Sequence, residues 1–116
     1  MDQVNRTIGA EIETLQRETF GYFEHEVNSV NGLVIDKTSA DSPASIAATG
    51  FALASYPVAV ERGFVPRAAA VKRTLTTLRF FWNSPQGPQP DATGYQGLYY
   101  HFGSSGSRVG KLEAQT

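Results

Sequence analysis

Ser42-Pro43-Ala44-Ser45-Ile46-Ala47-Ala48-Thr49-Gly50-Phe51-Ala52-Leu53-Ala54-Ser55-Tyr56-Pro57-Val58-Ala59-Val60 runs without one charge until Glu61. Its length approaches the ~20 residues of a membrane span, but Ala, Ser, Thr, Gly and Pro make it a poor one. The pattern predicts a buried helix. Ser42 suits its cap and Pro43 its first helical position. Pro57 predicts a kink or an end near Tyr56, and Gly63 closes the region. A helix with no polar stripe has to be covered on every side. Ala47, Ala48, Gly50, Ala52 and Ala54 would let neighbouring helices come close.

Upstream, a helix is predicted from about Val4 to Asn28. Ile8, Ile12, Leu15, Thr19, Phe23 and Val27 recur at spacings of three and four, as on one face of a helix. Glu11, Glu13, Arg17, Glu18, Glu24 and Glu26 fall mainly elsewhere and read as a solvated face, as does His25. Asn31-Gly32 supplies a turn. Leu33 to Asp41 is a connector, briefly extended at Leu33-Val34-Ile35.

Downstream, a third helix is predicted from Pro66 to about Asn83, with Ser84-Pro85 as its stop. Its stripe is Val71, Leu75, Leu78 and Trp82, all expected in the core. Arg67, Lys72, Arg73 and Arg79 read as its wet face rather than a basic patch. Ser84 to Gly94 holds three prolines and two glycines, a loop long enough to suggest function. Tyr95 to Phe102 reads as an aromatic strand. It would turn at Gly103–Ser107 and return at Arg108-Val109.

The 116 residues allow one domain. Lys and Arg total 10 against 11 Asp and Glu, a formal charge of −1, which argues against a binder driven by phosphate neutralisation. At 41% hydrophobic and 18% charged, the chain is too apolar for disorder. Cysteine is absent, which excludes disulfides, thiolate metal sites and a Cys nucleophile. His25 and His101 are too far apart in sequence to suggest a metal cluster, and no cofactor is indicated. Charges throughout the first thirty residues leave no signal-peptide core. No Gly-x-Ser-x-Gly elbow or phosphate-cradling loop occurs.

Three helices give the uncharged one only two helical neighbours. The sequence therefore predicts a larger helical assembly: a truncated longer chain in the first place, an oligomer in the second.

Ser42 to Phe51 resembles a hallmark of the bacterial glycoamylase-like domain family. The resemblance continues through Val60-Glu61-Arg62-Gly63, Leu75-Thr76-Thr77-Leu78-Arg79-Phe80 and Trp82-Asn83-Ser84-Pro85-Gln86-Gly87-Pro88, and on to Gly94–Phe102. Upstream, Leu15-Gln16-Arg17-Glu18-Thr19-Phe20, Tyr22-Phe23 and Gly32-Leu33-Val34 with Asp36 also fit. The resemblance implies a mainly α fold: the first three helices plus a short β-hairpin of an (α/α)6 barrel, incomplete in this chain. Residues 1–116 would be the N-terminal part of one such domain, with the uncharged helix inner and its neighbours outer. Members include enzymes that degrade β-1,2-glucan, so the implied partner is an oligo- or polysaccharide, together with the remainder of the barrel. Families of this kind are often exported or act on periplasmic glucan, which implies a periplasmic or secreted location. Glu113 and Thr116 align with a family Glu and Thr, although Gly110 stands where Trp is expected and Ala114 departs from the pattern. Lys37 stands where Arg is common, which keeps charge but loses bidentate geometry.

Glycoside hydrolysis usually needs two carboxyl groups across one bond, about 5–5.5 Å apart for retention and about 6.5–9.5 Å for inversion. Outside clear helix faces the chain offers Asp36, Asp41, Asp91 and Glu113. Asp41 is expected to serve the helix start and Asp91 to be solvated. Asp36 is a candidate substrate contact, and Glu113 is the candidate catalytic carboxylate. Tyr95, Tyr99, Tyr100 and Phe102 are candidate sugar-stacking rings. Strand alternation would put Tyr99 and His101 on one face and Tyr100 and Phe102 on the other. The expected substrate contacts are thus Asp36, Tyr99, Tyr100 and His101. The leading reading is a glycoside hydrolase-like fragment, inactive alone. Its rival is a non-catalytic carbohydrate-binding or interaction module that oligomerises.

Overall fold

The computed structural model describes residues 2–38, 42–89 and 92–100, and the backbone of 102–103 and 112–113. Three helices, α1 (Asp2–His25), α2 (Ile46–Glu61) and α3 (Arg67–Asn83), carry most of it. Five two-residue strands accompany them: β1 (Ala44–Ser45), β2 (Gly94–Tyr95), β3 (Leu98–Tyr99), β4 (Phe102–Gly103) and β5 (Leu112–Glu113).

Helix α1 begins and ends earlier than its periodicity suggests. Asp2 lies in its first turn, where a carboxylate complements the helix dipole. At its end the His25 ring donates from Nδ1 to the Gly21 carbonyl (2.7 Å). The chain then doubles back, and Val27 bridges Val34. Asn28 N–H donates to Leu33 O (2.8 Å) and Gly32 N–H to Asn28 O (2.7 Å), so residues 26–28 leave the helix for a tight reversal.

Helix α2 begins at Ile46, not at Ser42-Pro43. Residues 42–45 are extended because they find backbone partners on both sides. Asp36 N–H donates to Pro43 O (2.8 Å), and Ser45 N–H to Val34 O (2.9 Å). On the other side, Ala44 and Ser45 pair with Gly103 and Phe102. Ser45 is therefore the cap, its Oγ accepting from Ala48 N–H (3.2 Å). Thr49 joins helix to connector: its Oγ1 donates to Ser45 O (2.8 Å) and accepts from Val34 N–H (3.1 Å).

Pro57 does not stop α2, which continues to Glu61. It removes one ladder bond, but Tyr56 and Ala59 are buried on either side of it and hold the continuation in place. Gly63, at φ +75°, ends the helix as expected. Its N–H reaches Val60 O (3.1 Å) and that of Phe64 reaches Ala59 O (2.8 Å), the paired bonds of a Schellman motif.

The core is formed by Phe20, Val34, Ala52, Tyr56, Ala59, Val65 and Ala70, with Phe23, Leu53 and Phe64 packed against it. Phe20 meets Tyr56 edge-on at 6.4 Å, and the Arg17 guanidinium covers the Phe64 ring at 4.6 Å. Arg62 ties the end of α2 to α1, donating to Gln16 Oε1 (2.9 Å) and Glu13 Oε2 (3.2 Å).

The apolar stripes are not where this core lies. Helix α3 buries Ala70 and Thr77, while Val71, Leu75, Leu78 and Trp82 are exposed. Trp82 is 88% exposed, the reverse of its expected core position. Ile8, Ile12 and Leu15 of α1 are exposed as well. Helix α2 is covered on one side only, through Thr49, Ala52, Tyr56 and Ala59, and its Phe51 is 68% exposed. Two neighbouring helices do not cover an uncharged helix, as the arithmetic required.

The strands also differ from expectation. Tyr95 reverses at once through Gln96-Gly97, so that Gly94 pairs with Tyr99 and Tyr95 with Leu98. Both turn residues have positive φ (51° and 84°), which makes a two-residue hairpin of the primed kind. Phe102–Gly103 is a separate strand that pairs antiparallel with Leu112–Glu113. The order β1-β4-β5 is antiparallel throughout. The alternation inferred along Tyr95–Phe102 therefore breaks after Tyr99.

Candidate functional site

The topology brings the backbones of two sequence candidates, Asp36 and Glu113, to the N-terminal end of α2. There β1 leads into the helix, with Val34-Ile35 on one side and β4 then β5 on the other. Asp36 follows the first of these strands and Glu113 stands in the last, opposite Phe102, which is opposite Ser45.

Asp36 is exposed. Beside it, the Tyr22 hydroxyl donates to the Ile35 carbonyl. Burial pushes the Tyr22 hydroxyl above its ordinary pKa, and the charges of Glu26 and Asp36 push it further.

Asp36 and Glu113 are separated by three strand-to-strand steps. At ~4.8 Å per step their backbones lie about 14 Å apart along the sheet. The described residues bring the backbones of both candidates to one end of α2.

Tyr99 is half-buried, its hydroxyl donating to Phe81 O (3.1 Å) and its ring edge-on to Phe81 at 4.7 Å. This contact braces the β2–β3 hairpin against the end of α3. Gln86 braces it from below, accepting from Gly97 N–H (3.0 Å). Thr93 closes the proline-rich loop, its hydroxyl donating to Pro85 O (2.8 Å). Tyr100 is half-buried and its N–H donates to Thr93 O (3.3 Å). Tyr95 is exposed. His101, Asp41, Asp91 and Thr116 lie outside the described residues, as does the Arg108-Val109 strand.

Of the grooves along the helices, two lie between neighbouring helices. One, of about 370 Å³, runs between α1 and α2 and is lined by Ile12, Leu15, Phe20, Phe23, Val58 and Phe64. The other, of about 480 Å³, lies between α2 and α3 along Tyr56, Pro57, Val60, Arg67, Val71 and Leu75. Neither includes a sequence candidate, and both have the composition of helix-packing surfaces. Sequence reasoning missed the buried Tyr56 hydroxyl, whose only signal was a phenol inside an otherwise uncharged helix. Among the described residues, no helix is long and apolar enough to cross a membrane.

No family model and no curated protein matches the chain. A solved structure from Bacteroides uniformis ATCC 8492, described as a "putative glucoamylase", is similar to it with a TM-score of 0.66 and 29% identity. The match covers 80% of this chain and 22% of that one, so the chain spans about a fifth of that protein. Four-fifths of the chain thus shares the fold of one part of that glucoamylase-like structure.

Proposed function

We propose that the chain forms part of a glycoside hydrolase-like (α/α)6 barrel acting on β-glucan, with β-1,2-glucan as the preferred linkage. Carboxylate acid/base chemistry would operate in the complete barrel, and the 116 residues alone would be inactive. The likeness to a much longer glucoamylase-like protein carries this reading. The uncovered apolar faces of α2 and α3 support it, because further helices would bury Phe51, Leu78 and Trp82. The preference for β-1,2-glucan over starch follows from the members of the family that the motifs from Leu15 to Phe102 resemble.

In this reading the sheet at the head of α2 forms one wall of the sugar site. Asp36, Tyr100 and His101 would contact substrate. Tyr99, its hydroxyl already engaged, would offer only its ring. Glu113 would act as a carboxylate whose counterpart comes from elsewhere in the barrel.

The experiment is an assay of a barrel-length protein containing these residues on a panel of β-1,2-, β-1,3- and β-1,4-glucans and starch. Sugar release from β-1,2-glucan alone, abolished by Glu113→Gln and weakened mainly in KM by Asp36→Asn, is expected. Release from starch alone would overturn the substrate, and no release from any glucan would overturn the hydrolase.

A further inference from the structure

Pro85, Gln86 and Gly87, at the start of the proline-rich loop, each hold the segment that carries the β2–β3 hairpin. Thr93 N–H and the Thr93 hydroxyl both donate to the Pro85 carbonyl, at 2.9 and 2.8 Å. Gly87 N–H donates to Gly94 O at 3.1 Å, beside a parallel bridge between Gln86 and Gly94. The Gln86 side chain accepts from Gly97 N–H, in the turn, at 3.0 Å. Gly94 has to lack a side chain for this, because a Cβ there would overlap the Leu98 carbonyl oxygen. Thr93 is fully buried, and its own carbonyl accepts from Tyr100 N–H at 3.3 Å. The loop thus grips Thr93, and Thr93 grips the backbone of Tyr100.

We propose that Thr93 is a positioning residue for sugar binding that acts through Tyr100, which rests on the reading above in which Tyr100 contacts the glucan. Tyr100 lies one residue past the end of β3, so the ladder that pairs Gly94 with Tyr99 does not fix it. The Thr93 carbonyl does. Two donors from Thr93 to one acceptor stop its peptide from turning, and so set the direction of that carbonyl. Proline in the loop lowers the entropy lost on ordering it, which suits a rigid floor. A contact ring that loses its place weakens binding of the ground state and the transition state alike, and such a loss appears in KM rather than kcat.

The test is steady-state kinetics of the barrel-length protein on whichever glucan the parent hydrolyses. Thr93→Val keeps the branched shape without the hydroxyl, and is expected to raise KM about fivefold with kcat within about twofold of the parent. Thr93→Ser, which retains the hydroxyl, should keep KM within about twofold of the parent. In a Tyr100→Ala background, Thr93→Val should add nothing to KM. An unchanged KM in Thr93→Val, a loss confined to kcat, or an undiminished KM rise in the Tyr100→Ala background overturns the proposal. Should Thr93→Val fail to fold, Gln86→Leu decides, since it cuts an exposed tie of the same loop. It is expected to raise KM about twofold, and an unchanged KM overturns the proposal. A parent that releases no sugar overturns the hydrolase reading itself, whereas an active parent indifferent to Thr93 overturns this proposal alone.

Discussion

The Thr77 hydroxyl donates to the carbonyl of Gly32 at 3.2 Å, and a Cβ placed on Gly32 would stand 2.8 Å from Thr77 Cα. Gly32 also has φ +74°, a conformation that L side chains rarely adopt. The connector can therefore reach α3 only because this residue has no side chain. Gly32→Ala is expected to lose about 3 kcal/mol, from left-handed strain and backbone overlap together. Urea unfolding of the chain checks it, and a loss under about 0.5 kcal/mol would mean that the approach is not tight.

The head of α2 depends on two hydroxyls. Ser45→Ala removes the cap and is expected to cost about 1 kcal/mol, with Ser45→Gly costing less. Thr49→Val should cost more, about 1–3 kcal/mol, because it leaves the buried Val34 N–H without its acceptor. Thermal unfolding of the three variants gives the order; a Thr49→Val effect below that of Ser45→Ala would contradict the assignment.

These contacts explain what was legible in the sequence. The existence of the three helices followed from periodicity and from Pro and Gly punctuation, and α3 ended within a residue of its expected stop. The start of α2 was misread because Ser42-Pro43 is a sound local cap, and only pairing with Val34 and Phe102 shows why residues 42–45 are extended. Trp82 was misplaced because a stripe reports which face is apolar, not whether a neighbour is present. The hairpin was missed because Gln-Gly is a weak turn signal beside Asn-Gly. For the site, order along the chain put Asp36 and Glu113 on either side of α2, but the strand count between them belongs to tertiary pairing.

Gln96 is the one non-glycine with positive φ among the described residues, at 51°. Gln96→Asn is expected to stabilise the chain by about 0.5 kcal/mol, since Asn tolerates this region better. Gly97→Ala, at φ 84°, should destabilise it by about 1 kcal/mol or more. Comparison of their urea midpoints decides the matter, and a destabilising Gln96→Asn would argue against a primed turn.

Alkaline stability should carry the signature of two tyrosines. Burial raises the Tyr56 hydroxyl above its ordinary value of 10.0, with Arg73 pulling the other way. Tyr22 is raised by burial, then by Glu26 and Asp36. A raised folded pKa means that the unfolded chain loses its proton first. The contribution is therefore intact below pH 10.0 and is lost as pH rises through the higher folded values. Tyr56→Phe should flatten this alkaline decline while leaving any acid limb unchanged. A decline of undiminished slope in the variant would remove Tyr56 as its cause.

Phe51 offers the most direct measure of what surrounds α2. In the 116-residue chain it is largely exposed, and Phe51→Ala should shift stability by no more than about 0.5 kcal/mol. If further helices cover α2, the same substitution in a barrel-length protein removes a buried ring and should cost about 3–5 kcal/mol. Leu78→Ala on α3 should behave the same way at about 2–5 kcal/mol, whereas Ala59→Gly, already in the core, should cost much the same in both contexts. Chemical unfolding of the short and long proteins gives the contrast. A Phe51→Ala effect equally small in both would leave the uncharged face of α2 open, and the barrel reading would then lose its physical basis.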